Sequence, residues 1–109
     1  MKPETYNLWE KALGYLEEAE ELSKGDKFNE AERKATEAFI SALQAIKALS
    51  RELEMSDLSM MWENAGLEWI ELMDSKHYRN RPNEMVKWIR RRVKRLSDDL
   101  PPDTFRPLT

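Results

Sequence analysis

At 109 residues, with 40% hydrophobic and 36% charged side chains and a net charge of −3, the chain has enough material for one modest core and is too apolar for disorder. No apolar run approaches the roughly 18 residues of a membrane-spanning helix. The absence of cysteine excludes disulfides, thiolate nucleophiles and cysteine-based metal sites. Residues 1–5 lead into amphipathic sequence without the apolar core of a signal peptide. No membrane association is therefore expected, and the expected location is cytoplasmic.

The first periodic segment, residues 5–24, spaces Trp9, Ala12, Leu16 and Ala19 three and four apart, with Leu8, Leu13, Tyr15 and Leu22 beside them. That is the stripe of an amphipathic helix. Gly25 follows, where a left-handed helix end favours glycine, and Asp26 starts the next element.

The second segment, residues 27–54, carries Phe28, Ala35, Ala42 and Leu49 seven apart, interleaved with Ala31, Ala38 and Ala45; Phe39, Ile46 and Leu53 widen the stripe. So many alanines allow neighbours to approach closely, which predicts a central helix.

The third segment, residues 56–73, has Ser56 as N-cap and Asp57 in the first turn. Leu58, Met61, Trp62, Ala65, Trp69, Leu72 and Met73 share one face, while Met60 and Leu67 lie opposite, one heptad apart. A helix apolar on two sides touches two neighbours. It is either sandwiched inside the bundle or faces a second subunit through Met60 and Leu67.

A polar loop, residues 74–81, leads to Pro82 in a first-turn position and a fourth helix to about residue 98. Met85, Val86, Ile89, Val93 and Leu96 form its buried stripe. Three prolines between positions 100 and 109 predict an extended tail. The expected fold is all-α: a four-helix bundle with antiparallel helices, one domain over residues 1–99, and a proline-rich tail over 100–109.

Residues for catalysis are scarce. The single histidine, His77, lies near Asp74 and Glu71, but a carboxylate-bridged di-iron bundle needs two Glu-x-x-His elements. One histidine without a nucleophile motif makes no triad, and glycine-rich phosphate loops are absent from the sequence. The glutamates of the first helix, Glu10, Glu17, Glu18, Glu20 and Glu21, read as a solvated face. Neither a metal, a cofactor nor an enzymatic activity is expected.

Charge is distributed unevenly. From Lys76 to Arg95 nine lysines and arginines face one acid, Glu84. At about 100° per residue, Lys87, Arg90, Arg91, Lys94 and Arg95 lie opposite the apolar stripe, and Trp88 falls on the polar arc between Arg92 and Arg95. A tryptophan among arginines suits single-stranded nucleic acid, with phosphates on the guanidinium groups and a base on the indole. Tyr78, Arg79 and Arg81 in the preceding loop would extend that surface. Three plainer readings compete. The cations could serve the helix C-terminus through its dipole, the tail could cover Trp88, or the basic helix could pair with the acidic first helix.

The stretch from Leu16 through Gly25-Asp26 and Phe28 to Ala31, followed by Ala35, Ala38 and Phe39, resembles the first helix pair of the HEPN superfamily, in particular its archaeal repeat-associated members. The Gly-Asp-x-Phe-x-x-Ala turn is also similar to tetratricopeptide and microtubule-interacting-and-trafficking modules. A second helix of about 28 residues is long for a tetratricopeptide hairpin. The resemblance covers residues 12–54 and implies a helical bundle that often dimerises. HEPN ribonucleases carry an arginine a few residues before a histidine, whereas no arginine lies between Arg51 and His77 here. The resemblance therefore points to the non-catalytic members, which act as binding partners. The expected function is a non-enzymatic protein whose basic fourth helix and loop contact RNA or DNA through Tyr78, Arg79, Arg81, Lys87, Trp88, Arg91, Lys94 and Arg95. The competing expectation is a protein-interaction scaffold, with self-association through Met60 and Leu67.

Overall fold

Four helices, α1 (Pro3–Lys24), α2 (Phe28–Leu53), α3 (Ser56–Asp74) and α4 (Pro82–Asp99), account for most of the chain. A computed structural model describes residues 1–76, 78 and 80–108, and among these no strand occurs. The radius of gyration, 13.7 Å, is close to the ~13 Å expected of a folded domain of this size. None of the helices is long and apolar enough to cross a membrane, among the described residues.

The helical bundle is organised around α2, which packs against each of the other three helices. Its alanines at 31, 35, 38, 42 and 45 are fully buried. Alanine carries no rotamer entropy into a helix and keeps neighbouring axes close. Trp9, Ala12, Leu13, Leu16 and Ala19 of α1 close over one side of that seam. Met85, Val86, Ile89, Val93 and Leu96 of α4 close over another, as their spacing predicts.

Phe39 is the hub at which α3 and α4 meet α2. The ring of Trp69 stacks on it with centroids 4.9 Å apart. From α4, Trp88 lies tilted against it at 5.7 Å. Trp62, two turns before Trp69, lies under the Lys47 ammonium, 4.8 Å from the ring centroid.

The helix ends refine the sequence reading. Gly25 is not the left-handed residue after α1. Its φ is −88°, and Asp26 takes the positive φ of 60°. The pairing of Lys27 N–H with the Leu22 carbonyl at 2.9 Å, and of Asp26 N–H with Ser23, makes a Schellman end. Aspartate tolerates that conformation better than most side chains, so the left-handed turn comes one residue later than expected while α1 still ends at Lys24. At the other end of α2, Glu54 is left-handed (φ 51°) and Met55 N–H returns to the Ser50 carbonyl. Helices α2 and α3 are therefore separate without any glycine between them. Ser56, expected as N-cap, is instead the first residue of α3; Met55 occupies the cap and no side chain caps it.

Residues 100–108 are not helical, but neither are they extended away from the domain. The chain turns at Asp103 (φ 64°) and returns over α1. Phe105 stacks on Trp9 at 5.0 Å with the rings 6° from parallel. Trp9 donates its indole N–H to the Arg106 carbonyl at 2.8 Å. Arg106 forks onto Glu10, and Leu108 N–H donates to Ser97 Oγ. A fully buried tryptophan needs a hydrogen-bond acceptor, and the tail supplies it.

Candidate interaction surfaces

Two surfaces qualify, the basic face of α4 and the outward face of α3. On α4, most of the cations already have carboxylate partners. Arg92 is the most deeply set, its side chain only 12% exposed, and its guanidinium donates to Glu68 of α3. Arg90 pairs with Glu20 of α1 at 3.1 Å. Lys87 pairs with Glu84, and Lys94 with Asp98, along the helix itself. The pairings with α1 and α3 fix α4 against both neighbours, as the uneven charge of the two ends of the sequence suggests.

Arg91 and Arg95 are exposed and make no ion pair among the described residues. They lie one turn apart and are the cations left available to a ligand. Trp88 is half-buried and packs on Phe39 rather than offering a bare indole. The tail that could have covered it instead covers Trp9. Tyr78 is likewise half-buried against the core and borders a cleft with Leu72, Met73 and Met85. Arg81 is exposed at the start of α4. Arg79, and with it His77, lies outside the described residues. Among the described residues no cluster of carboxylates could hold a metal ion.

The α3 surface differs in kind. Leu58, Ala65 and Leu72 are buried, and Met61, Trp62 and Trp69 pack partly against the core. Opposite them Met60 is 59% exposed and Leu67 60% exposed, and Ile70 adds a third apolar side chain at 57%. Sequence reasoning missed Ile70, although its position three residues after Leu67 was the available signal. Met73, expected on the buried face, is exposed. Leu72 fills the core at the last turn, and the next residue, about 100° further round, turns away from it. Leu53 and Met55 at the α2–α3 junction are exposed too.

No family model, curated protein or solved structure matches this chain.

Acids surround the exposed apolar row. Helix α3 contains Asp57, Glu63, Glu68, Glu71 and Asp74 and no lysine or arginine. Only Glu68 is drawn into the described ion pairs, through Arg92. At about 100° per residue, the other four carboxylates fall within about 60° of Met60. The surface chemistry is thus an apolar ridge among carboxylates, bordered near Met60 by a cleft that it shares with Arg92 and Arg95 of α4.

Proposed function

We propose that this chain is a non-enzymatic protein-interaction module that docks a partner polypeptide on the outward face of α3. The observation carrying the reading is the row Met60, Leu67 and Ile70, each more than half exposed on one helix whose other face is already committed to the core. Scattered apolar side chains on a surface mean little, but a ridge of them along one element marks an interaction site. We read the architecture as an antiparallel four-helix bundle, in which α1, α2 and α4 supply the stable body and α3 the contact. The resemblance of residues 12–54 to non-catalytic HEPN domains, which act as binding partners, agrees with such a role. A cytoplasmic setting belongs to the same reading.

A second reading, RNA or DNA binding by α4, is favoured by one observation: Arg91 and Arg95 are exposed, adjacent and without ion-pair partners among the described residues. Phosphate contacts of that kind give affinity without sequence preference and weaken steeply with salt. The packing of Trp88 on Phe39 leaves less ring for a stacked base, so this reading stands second.

One experiment separates them. A photo-crosslinking residue is introduced at Leu67 in one variant and at Arg91 in another, and irradiated cells are probed for adducts. The protein-interaction reading expects a protease-sensitive adduct from position 67. Nuclease-sensitive adducts from position 91, with none from position 67, would reverse the order of the two readings.

A further inference from the structure

The docking reading leaves the partner open, and the charge on α3 narrows it. We infer that the occupant of the α3 face is a basic amphipathic helix from another polypeptide; this rests on the protein-interaction reading above. Asp57, Glu63, Glu71 and Asp74 lie on the same arc as Met60 and Leu67 and are all exposed. None of the four takes part in an ion pair among the described residues. A partner that buries the apolar ridge brings its own flanks against these carboxylates. Like charges in that position repel and opposite charges attract, which sets orientation and suppresses wrong partners.

A second copy of this chain fits poorly. Two α3 helices face to face would set the four unpaired carboxylates of one copy against the four of the other. The chain's own basic helix, α4, offers no free apolar stripe, since Met85, Val86, Ile89, Val93 and Leu96 are buried in the core. Through α3 or α4 a copy therefore presents either an acidic apolar ridge or basic polar side chains, and neither complements α3 on both counts.

The geometry also gives the partner's pattern. Met60 and Leu67 are seven residues apart, about 10.5 Å along the helix axis. A helix laid beside α3 meets them with apolar anchors at the same heptad spacing. Lysine or arginine three or four positions from each anchor then reaches Glu63 and Glu71.

The test uses the intact chain, labelled for backbone amide NMR, and three synthetic peptides. The first is a helix with apolar residues seven apart flanked by lysine and arginine. The second has the same composition scrambled. The third keeps the apolar anchors but carries glutamate for every cation. The inference expects shifts confined to α3 with the first peptide alone, and an affinity at least tenfold weaker when Glu63→Lys and Glu71→Lys are combined, with helicity unchanged. It also expects the affinity to weaken as salt shortens the screening length. Equal binding by the glutamate peptide at the same α3 amides overturns the basic-partner inference while leaving α3 as a docking face. Equal binding by the scrambled peptide overturns it as well. Dimerisation in sedimentation equilibrium that Leu67→Glu abolishes assigns the face to a second copy and overturns it too. If the first peptide shifts nothing on α3 while an oligonucleotide shifts α4, the protein-interaction reading itself falls.

Discussion

Glu10, half-shielded between α1 and the returning tail, ties chain geometry to pH. The Arg106 guanidinium holds its carboxyl below the usual carboxylate value, burial opposes this, and the Tyr6 hydroxyl adds to the lowering. The same contact pushes the Tyr6 hydroxyl up, chiefly through its hydrogen bond with Glu10. A carboxylate whose folded pKa is lowered stabilises the fold fully above its unfolded value, ~4.3, and loses that contribution as pH falls through the folded value. Acidification from about pH 5 downward should therefore loosen the tail before the bundle melts. The measurement is the Trp9 indole N–H resonance, which reports its hydrogen bond to the Arg106 carbonyl, followed beside far-ultraviolet helicity. In the Glu10→Gln variant the acid-dependent step should shrink. A step that persists unchanged in that variant would place its origin elsewhere, for example at Glu52, whose carboxyl is also lowered, chiefly by the Thr5 hydroxyl.

At the scale of single elements, Glu54 bears a conformational burden that glycine would not. A side chain in the left-handed region costs on the order of 1 kcal/mol, and the residue terminates α2 at φ 51°. Glu54→Gly should raise stability by up to roughly 0.5 kcal/mol in urea unfolding, after the greater freedom of glycine in the unfolded chain is offset. The helices themselves were legible in the sequence because alanine, leucine and tryptophan repeat at three, four and seven, and because the core stripes of α1, α2 and α4 follow those repeats closely. The junctions were less so. Asp26 rather than Gly25 turns left-handed, and Glu54 ends α2 with no glycine signal, because a helix end is set by where its last carbonyls find donors. Ile70 lies about 80° round the helix from Met60, off the heptad line that Met60 and Leu67 define, so a seven-residue spacing does not pick it out.

For the whole molecule, what periodicity does not report is which faces meet. The lopsided charge of the chain was plain from composition along the sequence, but its partition was not. Arg92 and Arg90 are spent on Glu68 and Glu20 of neighbouring helices, whereas Arg91, one position between them, points outward. Neither Phe39 beneath Trp88 nor Phe105 on Trp9 is forecast by spacing, since each joins residues far apart in the chain. The result is a body joined by interhelical ion pairs and aromatic stacks, with Met60, Leu67 and Ile70 left exposed along α3.

One of the three ridge side chains, Met60, is a thioether. Met55, Met60 and Met73 are all exposed, and oxidation to the sulfoxide converts such a flexible apolar side chain into a polar one. Mild peroxide treatment should modify these three before the buried Met85, leave helicity intact, and weaken partner binding, with methionine sulfoxide reductase restoring it. Mass spectrometry of the treated chain, read alongside affinity, would follow both effects, and a Met60→Leu variant should resist most of the loss. Through Met60, a docking ridge of this kind becomes sensitive to the oxidative history of its surroundings.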